Sequence, residues 1–186
     1  MIKKLILSLI TFSLYISSAQ AACDFIINIG DKSTKIVEKF APPMPMFNGQ
    51  FMLPVQSPEL CPNDNLSEMI AVEYVFLGES IETARLAAIR MIALNDGQNT
   101  ESDKLTLMNY AKKVYGKFDT GQNPSAFNNF YAWEKGQNLI IYKRMYNEES
   151  LIDEEIFITN NEYDLKLGEF YNKIEEEEAE LDEKTN

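Results

Sequence analysis

The chain of 186 residues contains no histidine. That absence excludes Ser-His-Asp and Cys-His nucleophile systems, and the zinc sites and zinc-bound hydroxide mechanisms that depend on imidazole. Cysteine is nearly missing too: the chain has two, Cys23 and Cys61. Paired, they leave no thiolate nucleophile, so any catalysis would run on carboxylates, lysine, tyrosine or a hydroxyl activated by lysine. Positive charge is in deficit, with 17 Lys and Arg against 29 Asp and Glu and a formal net charge of −12. A chain this acidic is repelled by phosphate backbones and anionic headgroups, so neither nucleic acid nor a membrane surface is an expected partner. After the first residues, no apolar run approaches the roughly 20 residues that a membrane-spanning helix needs.

What is present begins with residues 1–21. Lys3 and Lys4 form a basic start, Leu5 to Ile16 an apolar stretch, and Ala19-Gln20-Ala21 a small-x-small cleavage site. This is the pattern of a secretory signal, and it places the mature chain in a periplasm or outside the cell. The apolar stretch is too short to remain as a permanent anchor. Cys23 follows the cut, where a lipoprotein would carry its acylated cysteine, but Gln20-Ala21-Ala22 departs from the Leu-led pattern of such sites. The favoured reading pairs Cys23 with Cys61, because exported thiols meet an oxidising compartment and an even count leaves no orphan.

The remaining residues are expected to form one domain over 22–174, followed by an acidic, frayed tail over 175–186. Phe25-Ile26-Ile27-Asn28-Ile29 reads as a short strand ending at Gly30. Ile36, Val37 and Phe40 recur at helical spacing before Pro42-Pro43 stops the run. Residues 41–65 hold six of the seven prolines and read as a long ordered loop. Alternation from Met69 to Leu77 predicts a strand; 81–94 is ambiguous, and a strand over 86–94 is preferred to a helix. A helix capped by Thr100 or Ser102 runs through Leu105, Met108, Ala111 and Tyr115 to Gly116. Strands follow over 127–134, 139–146 and 155–159, the first two joined by Gly136-Gln137-Asn138. A last helix starts near Asn160 and buries Tyr163, Leu167, Phe170 and Ile174. Glu175 to Glu178, Glu180, Asp182 and Glu183 then put negative charge at the unfavourable end of the helix dipole.

These elements predict an α+β domain, an antiparallel sheet with about three helices packed on one face. "KSTKIVEKFAPP" and "TLMNYAKKVYGKF" echo one another. Each is amphipathic, ends in an aromatic and a breaker, and precedes strands able to form a hairpin, which suggests two diverged helix-plus-hairpin halves. In this pattern the chain resembles periplasmic modules of the SmpA/OmlA type and β-lactamase-inhibitor-protein-like domains. The resemblance covers most of the mature chain, and it implies a binding or scaffolding role.

Several motifs carry possible chemistry. Asp119-Thr120-Gly121 spells the loop of an aspartic protease, but that mechanism needs two such carboxylates. Lys117 and Gln122 also break the flanking pattern, so a solvent-facing turn from helix to strand is the stronger reading. Asn95, Asp96, Asn99, Glu101 and Asp103 offer oxygen to calcium without the full loop and its closing Glu, and a turn with a helix cap explains them. Glu148, Glu149, Asp153, Glu154 and Glu155 offer paired carboxylates for a glycosidase, against the commoner reading of a solvated acidic loop. No cofactor or metal is expected. The recognition candidates are Phe127, Asn129, Tyr131 and Trp133, which alternation sends to one side of a strand. Facing outward they would bind a glycan or an envelope protein; facing inward they would be core. The favoured function is thus an exported, non-catalytic binding or envelope-structural protein, and the alternative is a histidine-free carboxylate hydrolase.

Overall fold

The computed structural model describes residues 23–40, 43–61, 66, 70–93, 106–121, 130–146 and 152–185. Its centre is a seven-stranded antiparallel sheet with strand order β1-β2-β3-β7-β6-β5-β4. The strands are β1 (Gln50–Gln56), β2 (Ile70–Leu77), β3 (Arg85–Ala93), β4 (Thr120–Gly121), β5 (Phe130–Lys135), β6 (Asn138–Tyr146) and β7 (Ile152–Thr159). The helices are α1 (Ser57–Leu60), α2 (Thr106–Tyr115) and α3 (Asn161–Thr185), and two short 3₁₀ turns span Ser33–Lys35 and Val37–Lys39. Two meanders, β1-β2-β3 and β4-β5-β6-β7, meet where β3 pairs with β7. The chain is therefore α+β, with its strands in two consecutive runs, each introduced by helical turns.

Strand alternation builds two unequal cores. On one face Leu53, Val72, Tyr74, Met91, Tyr142 and Ile156 join Ile36 and the buried side of α2, which presents Leu107, Met108, Tyr110 and Ala111. The opposite face is covered by α3, whose Tyr163 and Leu167 meet Val75, Ala87 and Ala88. The helices thus divide between the faces instead of sharing one. The small Ala87 and Ala88 beside the bulge between Val75 and Phe76 allow the helix to approach β3 closely. Asn160 caps α3 by accepting from the Tyr163 N–H at 2.9 Å.

Four segments differ from the sequence expectation. The helix expected through Ile36, Val37 and Phe40 is reduced to the two 3₁₀ turns. Residues 25–29 form no strand. The proline-rich loop contains β1, because Pro54 sits on an edge strand that pairs only with β2, where a missing N–H need not cost a ladder bond. The acidic tail does not fray before Thr185. Its Glu, Ala, Leu and Lys residues are strong helix formers, and Lys173 pairs with Glu177 at 3.6 Å one turn on.

Candidate functional site

The residues that replace the expected first strand form the most unusual segment of the molecule. Cys23 is disulfide-bonded to Cys61 at the end of α1, with Cα atoms 4.3 Å apart. The Cys23 N–H donates to the Tyr110 hydroxyl of α2 at 3.2 Å, and the Asp24 N–H to the Leu60 carbonyl at 2.8 Å. At Ile26 the backbone turns sharply, with φ at 64°. The Ile27 N–H donates to the Phe25 carbonyl at 2.7 Å, which closes a γ-turn around Ile26. A β-branched residue avoids this region, and holding one there costs on the order of 1–3 kcal/mol. The surroundings enforce it. Asp24 Oδ1 accepts from the Ile26 N–H at 3.0 Å, and the buried Tyr74 hydroxyl donates to the Phe25 carbonyl at 2.8 Å. Burial, and secondarily the charge of Asp24, pushes the Tyr74 phenol far above its ordinary value, so it stays a donor.

This tied segment stands off the sheet and leaves a cleft of about 390 Å³ between them. One wall is the segment itself, from Cys23 to Ile29. The floor is apolar: Ile89 of β3, Ile158 of β7 and Ile140 of β6, adjacent positions on one face of three neighbouring strands. Tyr115, at the last turn of α2, closes the far side, and burial with the neighbouring Tyr110 pushes its phenol well up. Lys135 and Asn138, flanking the tight turn between β5 and β6, supply the polar rim opposite Asp24 and Asn28. The volume lies at the lower end of the range for small-molecule sites, and the lining combines the apolar floor with at least as much polar surface.

The sequence candidates lie elsewhere. Trp133 is 1% exposed, with its ring against Tyr115 and its indole N–H donating to the Gly116 carbonyl at 3.2 Å. Tyr131 shares that face of β5. It is half buried, stacks on Phe118 at 4.2 Å between centroids and packs beside Tyr142. The aromatic face of this strand is thus core, and Trp133 is out of reach of a ligand in solvent. Phe127 and Asn129 lie outside the described residues, as do the calcium candidates Asn95, Asp96, Asn99, Glu101 and Asp103. Asp119 joins the chain to the sheet. Its N–H donates to the Ala132 carbonyl and its Oδ2 accepts from the Glu134 N–H, both at 2.8 Å. Gly121 sits at φ 133°, where an added Cβ would collide with the Phe130 carbonyl oxygen. Backbone geometry accounts for this glycine.

The acidic stretch also separates. Glu148 and Glu149 lie outside the described residues, and Glu154 and Glu155, adjacent in β7, point to opposite faces of the sheet. Glu154 is buried at the start of α2, where it accepts from the Leu107 and Met108 N–H groups and from the Tyr142 hydroxyl at 3.2, 2.8 and 3.0 Å. Burial, reinforced by Glu154, pushes the Tyr142 phenol well up, so it too remains a donor. Glu155 accepts from Arg90 at 3.0 Å, and Arg90 also donates to Glu73 at 2.8 Å. Among the described residues, no three His, Cys, Asp or Glu side chains are grouped to hold a metal, and no helix is long and apolar enough to cross a membrane.

Sequence reasoning missed the cleft because its parts are scattered over six segments and include three isoleucines that read as ordinary core. The one local signal was the Phe25 to Ile29 run with a cysteine two residues before it. Compared with family models, curated proteins and solved structures, the chain gives no match.

Proposed function

We propose that this is an exported, non-catalytic binding protein, stapled by its disulfide, whose ligand sits in the cleft between residues 23–29 and the sheet. The observation that carries this reading is the strained γ-turn at Ile26 in the wall of that cleft. A β-branched residue is held in a disfavoured conformation by the disulfide and four hydrogen bonds around it, and such strain concentrates at ligand sites. The amino-terminal signal pattern and the Cys23–Cys61 bridge fit an oxidising, extracytoplasmic setting. Against a carboxylate hydrolase stands the separation of Glu154 and Glu155. Catalysis by an acid and base pair needs both groups to converge on one reacting centre, whereas one of these is spent on a helix start and the other on an arginine.

Native mass spectrometry of protein isolated from its own envelope under non-denaturing conditions tests this. The expected result is a non-covalent small-molecule adduct that is lost from an Ile140→Phe variant, in which the floor is filled. A bare polypeptide mass in the unaltered protein would remove the reading.

A further inference from the structure

The cleft has charges of both signs at its rim, and they are not equally engaged. Asp24 already accepts from the Ile26 N–H at 3.0 Å and belongs to the ties that hold the γ-turn. Lys135 stands 4.0 Å from Asp119, the outer limit of an ion pair, with 45% of its side chain exposed. Asp119 meanwhile accepts the Glu134 N–H at 2.8 Å. An ammonium has three protons to donate, so Lys135 is the rim group with capacity to spare. Asn138, three residues on and paired with Lys135 across the turn, adds an amide that donates. Beneath them lie Ile140, Ile158 and Ile89, branched aliphatic side chains that expose only their edges to the cleft and carry no polar atom.

Resting on the reading of this cleft as a binding site, we infer that it takes a small amphipathic anion: an aliphatic body against the isoleucine floor, and a carboxylate-like head held at the rim by Lys135 and Asn138. The net charge of −12 opposes anions at long range, but salt screens exposed charges beyond roughly 8–10 Å. A lysine at the mouth therefore decides the local sign. The apolar body supplies affinity and the head supplies orientation, the usual division of labour in such sites.

The test uses the oxidised protein labelled at its isoleucine methyl groups, titrated with octanoate, octanol and octylamine and followed by NMR. The methyls of Ile89, Ile140 and Ile158 are expected to shift with octanoate at the lowest concentration, with octanol at higher concentration and with octylamine least. Lys135→Ala, a change at an exposed turn, is expected to weaken octanoate about three- to five-fold, the size of an exposed ion pair, and to leave octanol unchanged. Equal binding of octanoate and octanol, or octanoate binding unaffected by Lys135→Ala, overturns the assignment of an anionic head while leaving the cleft a binding site. If none of the three probes moves these methyls, the aliphatic-anion assignment falls, and the reading of the cleft as a binding site then stands or falls on the native mass measurement alone.

Discussion

The two faces of the sheet are built by different means. The face under α3 is covered by one regular helix whose Tyr163 and Leu167 drop onto Val75, Ala87 and Ala88, and its charge cluster is Glu73, Arg90 and Glu155, of which Glu155 is buried. The face under α2 is covered by a ten-residue helix, two 3₁₀ turns and an irregular segment that is tied at one end by the disulfide. Regular cover packs closely. Irregular cover must satisfy its own backbone with side chains, and here it uses Asp24, Tyr74 and Tyr110 for that purpose. The second solution leaves an opening, and that opening is the candidate site.

The largest expected effect falls on the α2 face. Tyr74, Tyr115 and Tyr142 all belong to the α2 face, and burial raises each above the ordinary value of 10.0. In the unfolded chain they ionise near that value. Their contribution is therefore fully present below about pH 10 and is lost as pH rises toward the folded values, at about 1.4 kcal/mol per pH unit per tyrosine. Tyrosinate absorbance and unfolding are expected to rise together above pH 10. Ionisation of these three in a protein that keeps its fold would break the account of this face.

Next is the disulfide. The bridge spans a sequence separation of 38 residues, and the chain-entropy estimate for such a loop is about 4 kcal/mol. Replacing both cysteines by serine is expected to lower the unfolding free energy in urea by about that amount. Glu154→Ala follows. It leaves two α2 amides and the Tyr142 hydroxyl without their acceptor, for about 2–3 kcal/mol. On the other face, Arg90→Met removes the cation between Glu73 and Glu155; Arg90 and Glu73 are partly exposed but Glu155 is buried, so about 1–2 kcal/mol is expected. A Glu154 variant less destabilised than the Arg90 variant would reverse the ranking of the two faces. The smallest effect belongs to truncation after Ile174. Residues 175–181 beyond it are exposed, and thermal unfolding should shift by less than about 0.5 kcal/mol.

Much of the architecture was legible from the sequence. Alternation located β2, β3, β5, β6 and β7, and the Gly136 turn located the hairpin. The assignment of 86–94 to a strand matches β3, and the pairing of Cys23 with Cys61 matches the bridge. Asp119-Thr120-Gly121 carries the chain from helix to sheet as read, but Thr120 and Gly121 already form the edge strand β4 instead of a turn. Other features depend on tertiary context. Pro54 disguised β1, since only the sheet order shows that it lies on an edge. Phe25 to Ile29 has the composition of a strand, but the bridge and the Tyr74 hydroxyl bend it into a turn. Strand alternation correctly grouped Tyr131 with Trp133, but it cannot say which face α2 covers. Helix propensity outweighed the dipole in the acidic end of α3.

The disulfide-held segment is the wall of the cleft, and the α3 face stands without it. Amide hydrogen exchange of the oxidised protein against the protein reduced with dithiothreitol tests it most directly. Residues 23–29 are expected to lose protection on reduction while the first turns of α3, residues 161–170, retain theirs. Unchanged protection in 23–29, or equal loss in both segments, would contradict it.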